Sequence, residues 1–175
     1  VYIRPNVTTK VQILAPGETY QPGNVGTRGR SGSPTQQTAG VAFNVTVNAC
    51  DSYYNITSSN PVCTVTTTDL YDTEPAARPL ISGTTTFSVT LVTARISSAA
   101  VTAPGLTSDR TGDITVVPNS VYKLQVLVPG ETAVPGNTAD GGKSGSPVAQ
   151  TAGVSFNVTV RAVDNWWNLT GAEPI

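Results

Sequence analysis

Residues 10–57 align without a gap onto residues 123–170, at an offset of 113 and with 29 identities in 48 positions. The first copy reads KVQILAPGETYQPGN…SGSPTQQTAGVAFNVTVNACDSYYNIT, and the second reads KLQVLVPGETAVPGN…SGSPVAQTAGVSFNVTVRAVDNWWNLT. Identity at this level means that both segments fold alike, so the repeat constrains the architecture before any residue is read singly. The match extends outward, because Pro5 and Asn6 precede the first copy as Pro118 and Asn119 precede the second. Residues 114–118 (ITVVP) read as the closing strand of a unit. Residues 1–6 are therefore expected to be the last strand of a preceding repeat, residues 7–118 a complete repeat, and residues 119–175 the first half of a second. On this reading the chain is a window on a tandem array; termini chosen without regard to the units give the same pattern.

Short runs of β-branched and aromatic residues, split by Gly and Pro, mark an all-β unit. Residues 10–15 (KVQILA) form a strand stopped by Pro16-Gly17, and residues 17–40 read as a long Gly/Pro/Ser/Thr-rich connection. Residues 41–49 alternate cleanly, with Val41, Phe43, Val45 and Val47 on one face and Ala42, Asn44, Thr46 and Asn48 on the other. Further strands are expected at 62–68, at 84–93 (Phe87, Val89 and Leu91 inward), at 96–103 and at 114–117. No window keeps a helical period, and Thr, Val, Gly and Pro all disfavour one. The expected fold is an immunoglobulin-like antiparallel β-sandwich, repeated in tandem, with a closed barrel as the alternative.

Composition narrows the chemistry. With no His, neither a Ser-His-Asp triad nor a Cys-His dyad nor a typical zinc site is available. Ten Lys plus Arg and a net charge of −1 exclude a phosphate-tracking surface, so no nucleic-acid partner is expected. No apolar run approaches the roughly 18 residues of a membrane helix, and no direct membrane insertion is expected. Asp69, Asp72 and Glu74 cluster in sequence but imply no second catalytic group. Gly136 and Gly141 stand at the wrong spacing before Lys143-Ser144 for a phosphate loop, and no helix follows. Arg28, Arg30 and Lys143 read as solvated loop charges. An enzyme is not expected, nor any catalytic residue or obligatory cofactor.

The strings LQVLVPGET and QTAGVSFNVTVRAVDNWWN, with GTTTFSVTL at residues 83–91, resemble the bacterial Ig-like (invasin/filamin-type) tandem repeats of large extracellular surface proteins. The likeness spans nearly the whole chain. It implies the sandwich fold and tandem organisation, and it leaves function open, since such modules serve adhesins, surface layers, filaments and spacers alike. Residues 50–63 and 74–80 (EPAARPL) depart from the smooth repeat pattern.

Several motifs invite specific readings. Five Asn-x-Thr sequons, at Asn6, Asn44, Asn55, Asn157 and Asn168, are glycosylation candidates in an exported protein, although 27 Thr also produce such triplets by chance. Cys50 and Cys63 have 12 residues between them, and a disulfide joining them would contribute roughly 3 kcal/mol in the chain-entropy model. Two separate buried thiols are the alternative. The loops Asp51-Ser-Tyr-Tyr-Asn55 and Asp164-Asn-Trp-Trp-Asn168 share a pattern of Asp, two aromatics and Asn. Asp51, Asn55, Asp164 and Asn168 are weak Ca²⁺ candidates, short of the six to eight oxygens the ion takes; a turn capped by its own Asp and Asn side chains accounts for the pattern equally. Tyr53, Tyr54, Trp166 and Trp167 are candidates for packing, for subunit contact, or for glycan binding.

These readings converge on an extracellular or cell-surface structural module. It would assemble with copies of itself or neighbouring repeats, with strand donation between subunits as one route, because an incomplete sandwich exposes unpaired edges. An adhesin, or a glycan-binding module of a surface protein or secreted polysaccharide-active enzyme, is the alternative.

Overall fold

The computed structural model describes residues 3–171. Val1 and Tyr2, assigned from sequence to the preceding strand, lie outside the described residues, as do residues 172–175. Residues 3–9 are not in a strand, so the part of the expected leading strand that is described is irregular here.

Residues 7–118, read from the sequence as the complete repeat, carry twelve short strands. They are β1 (Lys10–Leu14), β2 (Glu18–Tyr20), β3 (Arg30–Gly32), β4 (Gln37–Thr38), β5 (Phe43–Cys50), β6 (Val62–Thr67), β7 (Arg78–Pro79), β8 (Thr84–Val89), β9 (Ile96–Ser97), β10 (Ala99–Thr102), β11 (Asp109–Arg110) and β12 (Ile114–Val117). The second copy adds β13 (Lys123–Leu127), β14 (Glu131–Ala133), β15 (Lys143–Gly145) and β16 (Thr159–Val163). Strands dominate, and the one helical turn among the described residues is a 3₁₀ turn at Val25–Thr27. No sheet closes on itself. The architecture is all-β and sandwich-like, which sets aside the barrel.

One sheet has the order β1-β5-β8, a second β11-β10-β6-β7, and a third β4-β12-β9. All pairings are antiparallel except that of β4 with β12. The core lies between these sheets. Val11, Ile13, Val45, Val47, Phe87 and Val89 come from the first; Cys63, Val65, Ala99 and Val101 from the second; Ile114 and Val116 from the third. Alternation along β5 explains the layering, since Val45 and Val47 enter the core while Asn44, Thr46 and Asn48 face away.

The Asn48 end of the away-facing side is covered, while Asn44 stays exposed. Residues 17–40, expected as a connection, instead form a β2–β3 hairpin laid over that side of the first sheet. Asn48 Nδ2 donates to Gln12 Oε1 at 3.0 Å, and Gln12 Nε2 donates to the carbonyls of Arg28 and Gly29, each at 2.8 Å. A buried polar layer therefore sits between hairpin and sheet, with its amides satisfied by one another.

Arg30 is buried within that layer, contrary to its reading as a solvated charge, because two carboxylates reach it. Its Nη1 lies 3.1 Å from Glu18 Oε1, and its Nη2 pairs with Asp109 Oδ2. Asp109 also accepts from Arg28 Nη1 at 2.9 Å and from the backbone N–H of Ile13 at 3.1 Å. Glu18 accepts from the backbone N–H groups of Ala15 and Gly112. Three segments distant in sequence, 13–18, 28–30 and 109–112, are thus tied through one ionic cluster. Removing one partner of a buried pair strands the other charge, at a cost of about 3–5 kcal/mol. Asp109→Ala is expected to destabilise the chain by that amount in urea unfolding, and Arg28→Ala, whose side chain is half exposed, by far less.

Candidate functional site

The two Asp-x-aromatic-aromatic-Asn loops are built identically. Asp51 Oδ1 accepts from the backbone N–H of Tyr53 and of Asn55, both at 2.9 Å, and Oδ2 accepts from the N–H of Asn6 at 3.0 Å and from Asn55 Nδ2 at 3.0 Å. Asp164 repeats this with Trp166 at 2.8 Å, Asn168 at 2.9 Å, Asn119 at 2.9 Å and Asn168 Nδ2 at 2.9 Å. Each carboxylate is buried and its oxygens are occupied by N–H donors, which is the chemistry of a backbone cap and not of a cation ligand set. Burial opposes the charged form of Asp51, but the hydrogen bonds from Asn55, Asn6 and Tyr53 outweigh it and hold its pKa below the usual value. Among the described residues no group of three or more His, Cys, Asp or Glu is placed to hold a metal ion.

The second aromatic of each loop takes a left-handed backbone, with φ of 62° at Tyr54 and 65° at Trp167. It turns onto its own unit beneath a lysine: Lys10 Nζ lies 4.3 Å from the Tyr54 ring centre and Lys123 Nζ 3.7 Å from that of Trp167. The first aromatic differs between copies. Tyr53 is 59% exposed, whereas Trp166 packs against the core of the complete repeat. The four aromatics therefore form no shared platform.

What distinguishes the second loop is its contact with the end of the complete repeat. Asn168 Oδ1 accepts from the Ala94 N–H at 2.8 Å, and Asn168 Nδ2 donates to the Val92 carbonyl at 2.9 Å. Trp166 lies on Gly40, where a Cβ would stand 2.0 Å from the indole nitrogen. Asn119 Nδ2 donates to the Ala39 carbonyl at 3.2 Å. Gly136 fits against Thr93 and Tyr71, where a Cβ would meet Thr93 Oγ1 at 2.2 Å; its counterpart Gly23 meets nothing within 4 Å. The receiving segment is itself fixed by a third buried carboxylate. Asp69 Oδ2 accepts from the N–H groups of Val92 and Thr93, both at 2.7 Å, and Oδ1 accepts from Thr93 Oγ1 at 2.6 Å. Burial opposes ionisation of Asp69, yet these bonds keep its pKa below the usual value. Ala39, Gly40 and residues 92–94 are the site residues that sequence reasoning did not single out, and Asp69 was read only as one of a cluster of carboxylates; the glycine in TAG, identical in both copies, was the one available signal.

The other sequence candidates fall as follows. The sequon residues Asn6, Asn44 and Asn157 are exposed, Asn55 is half-buried with its amide on Asp51, and Asn168 is buried in the joint. Cys50 and Cys63 are separate buried thiols instead of the expected disulfide. Cys50 ends β5 in the first sheet while Cys63 lies on β6 in the second, with its Sγ directed to the Pro61 carbonyl at 3.7 Å. Burial, reinforced by the Asp51 carboxylate, pushes the Cys50 thiol up to about 12. Cys63 is raised by burial alone. Val163, fully buried, occupies the Cys50 position in the second copy. Cys50→Val is therefore expected to change stability by less than about 1.5 kcal/mol. In wild-type chain, both thiols should react with a thiol reagent only after unfolding, with no reductant needed.

Asp72 is raised to about 6 by burial, against the Thr67 hydroxyl bond and with help from Glu74 and Asp69. A carboxyl raised on folding favours the protonated state, so its contribution to stability weakens as pH rises from 3.8 to about 6 and is level above. Asp51 and Asp69 act in the opposite sense and in a lower window, their contribution being lost as pH falls through depressed values. The stability difference between Asp72→Asn and wild type, from urea unfolding, should grow in favour of the variant between pH 4 and 6 and then stay constant. In comparisons with known proteins, no family and no curated protein matches the chain.

Proposed function

We propose that the chain is a structural module of an extracellular surface or filament-forming protein, in which immunoglobulin-like units are joined end to end. The observation that carries this reading is the joint. It uses two side-chain hydrogen bonds from Asn168, one from Asn119 and the close seat of Trp166 on Gly40, and every donor element in it belongs to a motif that the complete repeat also carries. A motif present in each copy that fixes one unit on the next is the minimal rule for an array. The immunoglobulin-like assignment is supported by the early chain pairing in one sheet through β1 and in another through β4, with β5 returning to the first. The glycan-binding alternative draws less support, since three of its four candidate aromatics are spent on packing.

The reading requires a stiff joint. Asn168→Ala removes the bonds to Val92 and Ala94, whereas Asn55→Ala removes the equivalent loop-internal bonds to Asp51 and leaves those to Val92 and Ala94 intact. With spin labels on the complete repeat and on residues 119–171, the inter-unit distance distribution should broaden for Asn168→Ala and keep its width for Asn55→Ala. An already broad distribution in wild type would refute the rigid array. Electron micrographs of the native protein should show linear rows of regularly spaced units; isolated particles without rows would count against the assignment.

A further inference from the structure

Arg28 stands where the local backbone favours glycine. It ends the 3₁₀ turn with φ of 56°, in the left-handed region, and its counterpart in the second copy is Gly141, with φ of 66°. A side chain in that conformation strains the backbone, so its presence needs a compensating contact. The ion pair common to both copies does not supply it. That pair is Arg30 with Glu18 in the first copy and Lys143 with Glu131 in the second, and position 28 has no part in either. Arg28 is an addition to the motif. Its Nη1 serves Asp109 Oδ1 at 2.9 Å and the Arg110 carbonyl at 3.2 Å, but Asp109 is already paired with buried Arg30. The rest of the Arg28 guanidinium makes no hydrogen bond among the described residues, and the side chain is 46% exposed.

That guanidinium lines an open cleft of about 440 Å³, together with Tyr54, Thr102, Thr107, Ser108, Asp109 and Arg110. The lining carries two guanidiniums against one carboxylate. Both oxygens of that carboxylate are engaged, Oδ1 by Arg28 and Oδ2 by Arg30 and the Ile13 N–H. Arg110 is 60% exposed, and its ion-pair partner Asp113 lies 3.9 Å away at an equally open position, so the pair is weak. Thr102, Thr107 and Ser108 are exposed, and neither their hydroxyls nor that of Tyr54 is hydrogen-bonded among the described residues. The ring of Tyr54 is taken up by Lys10 and Gly29, so the cleft offers polar donors and no aromatic platform. The joint does not use this surface. Its bonds and close seats come from Asn119, Gly136, Trp166 and Asn168, and Gly141 and Trp167, the counterparts of Arg28 and Tyr54, supply none of them.

We propose that this cleft binds an acidic saccharide, with a uronate carboxylate held by Arg28. A guanidinium is planar and receives a carboxylate through two parallel N–H···O bonds, and Arg28 has the donors left to do so. Arg110 adds a second positive charge on the same lining. The hydroxyls of Tyr54, Thr102, Thr107 and Ser108 both donate and accept, which suits the hydroxyl-rich ring of a sugar better than the side chains of an acidic peptide. The volume lies within the range of about 300–1,000 Å³ found for small-ligand sites, and the cleft is open, so neighbouring sugar units of a longer chain can run out of it. The site belongs to the first copy alone, because Gly141 replaces Arg28 in the second. It goes beyond the array reading and does not depend on it.

Titration of the isotope-labelled full chain with tetragalacturonate, followed by amide chemical shifts, tests it. Shifts should concentrate at residues 28–29, 54 and 107–110 and saturate with a Kd of about 1 mM or below. Raising salt from about 20 to about 200 mM should weaken binding several-fold. Arg28→Gly installs the residue that the second copy carries at this φ, so the fold persists, and affinity should fall about tenfold or more. Arg110→Gln should weaken binding about threefold, and Lys143→Gln, which removes the same charge outside the cleft, should leave it unchanged. No shifts at about 10 mM sugar, full affinity in Arg28→Gly, or shifts centred elsewhere would each overturn the proposal. Equal binding of the fully methyl-esterified tetramer would remove the carboxylate, and equal binding of tetraglutamate would remove the saccharide. The Asn168 contacts are intact in every variant, so failure here leaves the array reading standing, and a flexible joint leaves the cleft standing.

Discussion

β5 is the strand on which the unit depends, because it has a neighbour on each edge and contributes side chains to both layers. Its apolar side fills the core with Val45 and Val47, and its polar side, through Asn48, anchors the amide layer beneath the β2–β3 hairpin. A central strand in this position converts local alternation into a two-sided structure. Among the described residues of the second copy no strand pairs on that side, and there the same residues shorten as a strand and expose their apolar side chains. Strand propensity alone therefore does not sustain FNVTV; pairing does, as expected for a property that mostly measures packing against neighbours.

Three buried carboxylates organise the ends of the unit. Asp51 and Asp164 close equivalent turns, and Asp69 fixes the segment on which the second turn sits. All three are surrounded by N–H or O–H donors, so their negative charge is stabilised by oriented dipoles instead of cations. The joint follows from that order. Asn168 meets the Val92 carbonyl and the Ala94 N–H only because one carboxylate holds the asparagine and another holds the strand end.

Much of the fold was legible in the sequence. Alternation in residues 41–49, 84–93 and 114–117 located strands that the structure contains, although β8 stops at Val89, and Pro16-Gly17 marked the end of β1 correctly. The long segment 17–40 was misjudged because its hairpin strands are three residues each and have no alternating apolar face; they are held by Gln12, Glu18 and Arg30, not by a hydrophobic pattern. Arg30 looked like a loop charge for the same reason, as both of its carboxylates lie elsewhere in the sequence, one of them 79 residues away. The cysteine spacing suggested a bond, yet sequence separation carries no information on which sheet each thiol joins.

By itself the sequence determined that two segments carry one pattern of turns and strand-forming runs, and that the 175 residues contain no imidazole. These are properties of residue identity and periodicity, which act over a few positions. Only the tertiary structure decided what each copy of a motif does. Asp51 to Asn55 and Asp164 to Asn168 make the same internal bonds, but Tyr53 of the first is exposed, whereas Trp166 and Asn168 of the second are seated on Gly40 and residues 92–94. FNVTV is core in one copy and exposed among the described residues of the other. The physical reason is that burial and pairing belong to the partner across the contact as much as to the residue, and the partner is set by the fold.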